Sequence, residues 1–245
     1  MRDHVPDNSI HLIVTSPPYS DIREYNGYKL DLFELGRQCY RTLVDGGIMA
    51  MVIQDGTKNF AKSLTSFRTT VQYVDNIGFR LFESVIYSRA GRPGAWWNQR
   101  FRVDHEYIMI FLKGKRPRHF NKEPLKIPAK HAGKTWAGTQ RHTDGSLTPI
   151  KRTIQKDLKC RGTIWNYSTS NTESDPLKLL HPATFPDLLA EDLIICFSDI
   201  GNIVCDPMVG SGTTAKIAKR LNRHYIGIDI SPKYCDLARQ SINGE

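Results

Sequence analysis

One stretch near the carboxyl end, residues 203–231, constrains the fold most strongly. It contains a short apolar strand, a turn with Gly210 and Gly212, a helix, and a second strand that ends at Asp229. A strand, helix and strand joined in this way place two parallel strands side by side, and such units build doubly wound sheets. The sequence therefore predicts an α/β fold with a doubly wound, mostly parallel sheet.

The same alternation of strands and helices runs along most of the remaining chain. Apolar runs that end at turn residues predict strands, and apolar residues at helical spacing predict helices. We predict strands at residues 10–14, 48–53, 81–87 and 106–112 and helices at residues 31–44, 67–77, 186–197, 213–221 and 232–242. Residues 113–161 lose this periodicity and contain four prolines, which predicts an inserted, loop-rich module. The parts 1–112 and 162–245 then form one domain around this insert.

The composition predicts a cytoplasmic protein without a metal site. The 245-residue chain has five widely spread cysteines with no C-x-x-C pair, which argues against a disulfide framework and against a zinc site. No run approaches 18 apolar residues, and the amino terminus lacks the apolar core of a signal peptide. We therefore expect a protein that neither spans a membrane nor is secreted.

The positive charge is concentrated in the predicted insert. The whole chain has a formal net charge of +9, and residues 113–161 contain 14 Lys or Arg against 3 Asp or Glu. The remainder has 20 basic and 22 acidic residues, so it is nearly neutral. Charge confined to one segment predicts a surface that binds a polyanion such as a nucleic acid. A solvated basic loop is the alternative interpretation.

The glycine turn predicts a site for a nucleoside cofactor. Asp229 ends the strand 17 residues after Gly212, where a carboxylate can accept hydrogen bonds from both ribose hydroxyls. Thr213 and Thr214 stand where a Walker P-loop has lysine and Ser or Thr, and Ala215 replaces the third glycine of a dinucleotide fingerprint. A purely structural turn and a nicotinamide-dependent oxidoreductase are the alternatives that this motif alone leaves open.

A second motif, TSPPYS at residues 15–20, directly follows the first apolar strand. Two prolines remove two backbone donors and fix φ, so the chain has to leave the sheet after Ser16. This predicts that Ser16, Pro17, Pro18 and Tyr19 lie at the carboxyl edge, where open α/β sheets bind their ligands. A rigid turn with a packed tyrosine is the alternative.

TSPPY, with DPMVGSGTT at residues 206–214 and GIDISPKY at residues 227–234, resembles the amino-methylating DNA methyltransferases that use S-adenosylmethionine. Because SPPY precedes the cofactor glycines, the chain is similar to the permuted β group of that family. HPATFP at residues 181–186 resembles the segment of the family that covers the methionine end of the cofactor. The resemblance implies the Rossmann-like fold of S-adenosylmethionine-dependent methyltransferases, with the basic insert as a DNA-recognition region.

The resemblance also implies the site residues. Ser16, Pro17, Pro18 and Tyr19 are the predicted catalytic residues. The Ser16 hydroxyl and the Pro17 carbonyl can accept hydrogen bonds from the target amine, and Tyr19 can stack on the extruded base. The predicted cofactor-binding residues are Thr15, His181, Phe185, Asp206, Pro207, Met208, Gly210, Ser211, Gly212, Thr213, Thr214, Asp229 and Ile230.

The predicted DNA-contacting residues lie in a loop rich in tryptophan and arginine and at the start of the insert. They are Trp96, Trp97, Arg100, Lys113, Lys115, Arg116 and Arg118. Aromatic side chains among arginines suit base stacking and phosphate contact. Packing of at least one tryptophan in the core is the alternative. The expected partner is double-stranded DNA.

The resemblance predicts methylation of an exocyclic amine. SPPY is associated mostly with cytosine N4 and DPPY mostly with adenine N6, so we predict cytosine and keep adenine as the alternative. Methylation at carbon 5 of cytosine needs an activated cysteine, typically after a proline, and none of the five cysteines follows a proline. A DNA-binding homologue without catalysis is a further alternative. The resemblance allows a cognate restriction endonuclease as a functional partner, and either a monomer or a homodimer.

Overall fold

The computed structural model describes residues 1, 4–18, 30–89, 99, 101, 103–167 and 185–244. The chain divides into two compact units. Unit 1 comprises Met1–Asn121 and Thr163–Glu245, and unit 2 comprises Lys122–Gly162.

The described helices and strands confirm the predicted alternation. The strands are β1 (Ile10–Thr15), β2 (Leu43–Ile53), β3 (Thr57–Lys58), β4 (Ala61–Lys62), β5 (Arg80–Arg89), β6 (His105–Leu112), β7 (Ile127–Pro128), β8 (Thr135–Arg141), β9 (Leu147–Ile154), β10 (Leu158–Lys159), β11 (Ile164–Tyr167), β12 (Ile203–Asp206) and β13 (His224–Gly227). The helices are α1 (Leu32–Thr42), α2 (Thr65–Gln72), α3 (Asp187–Phe197), α4 (Thr213–Arg220) and α5 (Pro232–Asn243). A π-helical turn, Tyr73–Ile77, continues α2.

A seven-stranded sheet in the order β11-β5-β6-β2-β1-β12-β13 forms the centre of unit 1. The pairs β1–β2, β1–β12, β12–β13 and β11–β5 are parallel. β6 is antiparallel to both of its neighbours, β2 and β5. The sheet is therefore mostly parallel, as predicted, and the carboxyl ends of β1, β2 and β12 share one edge.

β2 begins earlier than the sequence predicts. Leu43 lies inside the range predicted as helix, but its backbone is already extended (φ −65°, ψ 140°). It pairs with Ile10 of β1, and this pairing with the central strand outweighs the helical spacing of the apolar residues.

Helices pack on the sheet against the side chains that alternate strand residues direct to each face. Ile13, Met49 and Met51 pack with Tyr73 of the π-helical turn in one buried cluster. Gly36 of α1 is required there, because a Cβ atom at this position would lie 2.5 Å from the Tyr73 ring. The helix α4 contacts both α3 and α5, and α3 also contacts β1.

The insert begins later than the sequence predicts. Residues 113–121 belong to unit 1, because the backbone after β6 is bonded to the turn within β2. Gly46 N–H donates to the Lys113 carbonyl (2.8 Å), and Arg118 N–H donates to the Gly46 carbonyl (2.8 Å). Phe120 also stacks on Phe197 at the end of α3, with ring centroids 5.5 Å apart.

Unit 2 is a small β module rather than the predicted loop-rich segment. β8 and β9 form an antiparallel hairpin, and β7 pairs with β10. The Asp144 side chain closes the hairpin turn by accepting hydrogen bonds from Ser146 N–H (2.9 Å) and the Ser146 hydroxyl (2.7 Å). The sequence did not predict these strands, because almost every residue of β8 and β9 is exposed and the strands therefore lack an alternation of apolar residues.

Among the described residues, no helix is long and apolar enough to cross a membrane.

Candidate active site

The two sequence motifs meet at one edge of the sheet. β1 and β12 are parallel neighbours with Ile13 opposite Cys205, so the residues that follow each strand leave the sheet side by side. The Thr214 hydroxyl lies 3.2 Å from the Val14 carbonyl and 3.0 Å from Asp206 Oδ2, so its single hydrogen is within hydrogen-bonding distance of both acceptors. The TSPPY segment and the glycine loop therefore begin next to each other.

The glycine loop takes a conformation that requires glycine. Gly210 and Gly212 have φ values of 50° and 89°, in the left-handed region. A Cβ atom on Gly212 would also lie 3.0 Å from Ala238 Cα of α5. The two glycines thus allow a tight turn between β12 and α4 while α5 packs closely against it.

Asp229, two residues after the end of the neighbouring strand β13, holds this loop. Its Oδ2 atom accepts a hydrogen bond from Gly210 N–H (3.1 Å), and its Oδ1 atom accepts one from Ser231 N–H (2.9 Å). The side chain is partly buried, whereas Ile230 beside it is exposed. Carboxylate oxygens accept more than one hydrogen bond each, so Asp229 can bind a hydroxyl while it holds the loop.

Asp206 is a buried carboxylate at the end of β12. It accepts hydrogen bonds from Met208 N–H (3.1 Å) and from the Thr214 hydroxyl (3.0 Å). Burial raises the pKa of Asp206 to about 6, although these hydrogen bonds oppose the shift. A positive charge bound nearby would stabilise the ionised form of Asp206.

A cavity of about 490 Å³ opens beside the glycine loop. Pro207, Met208 and Ile228 form its apolar side. The rest of the lining comes from the amino terminus, from the two residues before α1 and from the first two turns of α1, namely Met1, Leu30, Asp31, Glu34, Leu35 and Gln38. An apolar wall facing a few polar groups is typical of small-molecule sites, and the volume suits a nucleoside-sized group.

Thr15 ends the neighbouring strand β1, whereas Ser211, Thr213 and Thr214 lie in the glycine loop or at the start of α4. Thr15, Ser211, Thr213 and Thr214 are buried. Phe185 is buried immediately before α3, and α3 is joined to α4 by an ion pair between Lys216 and Asp187 (2.9 Å). His181 lies outside the described residues.

The predicted catalytic residues are described only in part. Ser16 and Pro18 are partly buried and Pro17 is buried, directly after β1. Tyr19 lies outside the described residues, as do Trp96, Trp97 and Arg100 of the loop predicted to contact DNA.

The structure does not bring Lys113, Lys115, Arg116 and Arg118 to this edge. Leu112, the last residue of β6, is opposite Ile48 near the start of β2, so these basic residues lie at the other edge of the sheet. Because β1 and β2 run parallel, that edge is the one farthest from Ser16.

The Lys113 side chain is partly buried and is held by hydrogen bonds within unit 1. Its ammonium donates to the Leu43 carbonyl (2.7 Å) and to Asn8 Oδ1 (2.8 Å), and it lies 4.9 Å from the centre of the Tyr40 ring. Burial lowers the pKa of Lys113. A count of charged residues along the sequence could not show this, because it does not reveal at which edge of the sheet the chain leaves β6.

Sequence reasoning also missed the polar side of the cavity. Asp31 is the N-cap of α1 and accepts hydrogen bonds from Phe33 N–H (2.9 Å) and Glu34 N–H (3.1 Å). An aspartate before a predicted helix was a signal for a cap, but nothing in the sequence placed α1 against the loop after β12.

The fold and the site define a class: a Rossmann-like α/β protein with a nucleoside-sized cavity beside a glycine loop, next to an SPPY segment. The sequence model of the N6_N4_Mtase family, described as DNA methylase, matches residues 10–240. The chain belongs to this DNA methylase family, which confirms the resemblance and a methyltransferase activity on DNA.

Two curated relatives span nearly the whole chain. The orphan methyltransferase M.BamHII of Bacillus amyloliquefaciens is 37% identical over 252 residues, covering 99% of this chain and 92% of its own length. The DNA adenine methyltransferase YhdJ of Escherichia coli is 25% identical over 253 residues, covering 98% of this chain and 78% of its own length.

Solved structures confirm the predicted fold. The PvuII DNA methyltransferase (cytosine-N4-specific) matches with a TM-score of 0.70 at 20% identity, covering 99% of this chain and 89% of that one. The M1.HpyAVI–SAM complex matches with a TM-score of 0.62 at 19% identity, covering 96% of this chain and 89% of that one.

Proposed function

We propose that this chain transfers a methyl group from S-adenosylmethionine to the exocyclic N4 amine of cytosine in duplex DNA. The meeting of the TSPPY segment and the glycine loop carries this proposal, because an acceptor for the amine and a cofactor site then lie at one edge of the sheet. Membership of the DNA methylase family and the fold shared with the M1.HpyAVI–SAM complex support the choice of cofactor.

The residues around the glycine loop fit this cofactor. The cavity lined by Met208 and Ile228 would hold the adenosyl group, and Asp229, the residue after Ile228, would accept the ribose hydroxyls. Asp206 would supply negative charge for the methionine end. When bound, the cofactor supplies an electrophilic methyl group on a positively charged sulfur. We propose supporting positions around it for Thr15, His181, Phe185, Pro207, Gly210, Ser211, Gly212, Thr213, Thr214 and Ile230.

The TSPPY segment suits the activation of an aromatic amine. Such an amine is a poor nucleophile because its lone pair is delocalised into the ring. Acceptors at the Ser16 hydroxyl and the Pro17 carbonyl would bind its hydrogens and favour a pyramidal nitrogen. Pro17 and Pro18 restrict the backbone, so these acceptors meet the nitrogen at fixed geometry. Tyr19 would stack on the base after it leaves the duplex.

Cytosine is the proposed base because of the serine in SPPY and the HPATFP segment. Both features resemble the cytosine-N4 group of the family, and the PvuII enzyme that shares the fold is cytosine-N4-specific. Adenine N6 is the alternative, and the adenine-specific relative YhdJ is the observation that favours it.

Transfer of a tritiated methyl group from S-adenosylmethionine to duplex DNA tests the proposed function. We expect label in the DNA and none in a reaction without protein. Binding of DNA without transfer would instead indicate a homologue without catalysis. Hydride transfer with a nicotinamide cofactor, without label in DNA, would indicate an oxidoreductase.

Cofactor affinity should fall as the pH is lowered through the pKa of Asp206. A cationic cofactor favours the ionised carboxylate, and with a pKa of about 6 this group is mostly ionised at pH 7 and mostly protonated at pH 5. For a pKa of about 6, the ionised fraction of the carboxyl group falls about tenfold between pH 7 and pH 5. We therefore expect the cofactor affinity to fall about tenfold over the same interval. Calorimetry at several pH values measures this. Asp206→Asn should bind with little pH dependence, and an equally steep dependence in this variant would contradict the role of Asp206.

The exposed hairpin of unit 2 is the proposed phosphate-binding element. Unit 2 has ten Lys or Arg against three Asp or Glu. Between the pairs Trp136–Thr153 and Gly138–Ile150, β9 has one residue more than β8, which makes a bulge at Lys151 and Arg152. A two-stranded ribbon of this kind fits the major groove of DNA.

Replacing Arg141, Lys151 and Arg152 with Ala should flatten the salt dependence of DNA binding. All three are exposed, and each phosphate contact contributes about 0.9 to the slope of log K against log salt concentration. We therefore expect the slope to decrease by about 2 to 3. The matched control is Lys115→Ala with Arg116→Ala, which removes exposed charge at the edge farthest from Ser16. An unchanged slope in the hairpin variant, or an equal loss in the control, would contradict the assignment.

The cytoplasm, where DNA is accessible, is the proposed location. A cognate restriction endonuclease remains a proposed partner, and the names of type II relatives such as M.BglII of Bacillus subtilis support that setting.

A further inference from the structure

A short hairpin after β2 has an unusual turn. β3 and β4 pair with Lys58 opposite Ala61, and Asn59 and Phe60 form the two-residue turn between them. Both turn residues have positive φ values, 49° and 61°, as a type I′ turn requires. Glycine is the usual second residue of such a turn, and a bulky side chain there is a conformational outlier. Strain of this kind concentrates at functional sites, so the phenylalanine calls for an explanation.

The base of the hairpin is fixed to the sheet. Ser63 N–H donates to the Gly56 carbonyl (3.0 Å), and Gly56 N–H donates to the Ser63 hydroxyl (3.2 Å). Asp55 is buried and accepts hydrogen bonds from Ser66 N–H (2.9 Å) and the Ser66 hydroxyl (2.7 Å) at the start of α2. The turn is therefore carried on a firmly held base rather than on a loose loop.

The hairpin leaves the sheet at the same edge as the TSPPY segment. β1 and β2 are parallel neighbours, with Thr15 opposite Met51. Ser16 follows the end of β1, and the hairpin follows Ile53 at the end of β2. The side chain at the tip of the hairpin, Phe60, is 62% exposed, and Lys58 beside it is also exposed.

We propose that Phe60 is a wedge that enters the base stack of duplex DNA at the target site and favours extrusion of the base towards Ser16. Apolar side chains that insert between base steps unstack them, and a neighbouring lysine can hold the phosphate backbone. The chemistry on the base requires its removal from the stack, which a wedge on the adjacent strand end assists. This inference rests on the proposed function, since it assumes that the target base is flipped.

The strain at Phe60 fits this role. Glycine would relieve the turn but would leave nothing to insert, whereas phenylalanine places a ring that is largely exposed at the turn of a firmly held hairpin. The sequence gives no signal for it, because TKNFAK at residues 57–62 has no apolar pattern that distinguishes a wedge from a surface loop.

Single-turnover methylation of two duplexes tests the wedge. One duplex pairs the target base normally, and the other places it opposite an abasic site, so that it is already loosely held; the target site comes from methylation mapping of DNA from an expressing host. For Phe60→Ala we expect a rate about tenfold lower on the paired duplex and within about twofold of wild type on the abasic one, because base extrusion costs a few kcal/mol only when the base is paired. Phe60→Leu should retain most of the rate, as leucine also acts as a wedge.

Two further variants separate the wedge from a structural role. Phe60→Gly relieves the turn, so a purely conformational role predicts wild-type rates, whereas the wedge predicts the same loss as Phe60→Ala. Ile200→Ala removes an apolar side chain that is 73% exposed, in the turn before β12 at the opposite edge, and should leave both rates unchanged.

The outcomes also separate the wedge from the proposed function. Wild-type rates of Phe60→Ala or Phe60→Gly on the paired duplex would overturn the wedge, and so would equal losses on both duplexes. Wild-type protein that methylates neither duplex would contradict the proposed function itself. Unchanged thermal melting and cofactor affinity in the variants confirm that they are folded.

Discussion

Ser16→Ala is expected to lower the rate of methyl transfer about 100-fold or more, which is typical for the loss of one preorganised hydrogen-bonding group. The Ser16 hydroxyl matters most when the target nitrogen becomes pyramidal, so the loss should appear in the turnover rate rather than in cofactor binding. Tyr19→Ala should also lower transfer strongly, but with weaker binding of the extruded base as well.

Single-turnover kinetics at saturating DNA measures the effect of Ser16→Ala. The matched control is Ser9→Ala, since Ser9 lies just before β1 at the opposite edge and its hydroxyl donates to the Pro6 carbonyl (2.8 Å). That variant should transfer methyl groups at the wild-type rate. A wild-type rate in Ser16→Ala would remove the serine from the mechanism.

Asp229→Ala is expected to give the second largest effect, a loss of cofactor affinity. The carboxylate accepts hydrogen bonds from Gly210 N–H and Ser231 N–H. Its removal would therefore loosen the glycine loop and also remove the proposed contact to the ribose. Hydrogen bonds to a charged group contribute about 1.5–3 kcal/mol each, so the loss of one ribose contact alone predicts about a 10- to 150-fold weaker affinity. Calorimetry with S-adenosylmethionine measures it.

Two further variants serve as an intermediate case and a control for Asp229→Ala. Asp229→Asn keeps one acceptor oxygen but points an amide at a backbone N–H, so we expect an affinity between those of wild type and Asp229→Ala. Asp236→Ala removes a carboxylate that is 65% exposed on α5 and should not change the affinity. Unchanged affinity in a folded Asp229→Ala protein would remove Asp229 from the cofactor site.

Local patterns predicted the elements that build the sheet. The strand, glycine turn, helix and strand of residues 203–231 fold as expected, because Gly210 and Gly212 supply the positive φ values that the turn needs. The spacing of Asp229 correctly placed it beside this loop, but the sequence could not show that it already binds Gly210 and Ser231. That arrangement depends on β13 lying next to β12, which is a tertiary fact.

The direction in which each strand crosses the sheet was not predictable from the sequence. The apolar sequence of β6 predicts a buried strand but not its direction. The structure shows that β6 runs antiparallel between β2 and β5. That direction brings Lys113 to the edge away from Ser16, where it binds the Leu43 carbonyl. The hairpin of unit 2 was missed for another reason: its exposed strands lack the apolar alternation on which strand prediction depends.

The identity of the methylated nucleoside tests the central claim most directly. Duplex DNA is incubated with the wild-type protein and S-adenosylmethionine, digested to nucleosides and analysed by mass spectrometry, with Ser16→Ala as the control. We predict N4-methylcytosine from the wild type and a strongly reduced amount from the variant. N6-methyladenine as the product would contradict the assignment of the base, and 5-methylcytosine or no methylated nucleoside would contradict the amine-directed mechanism as a whole.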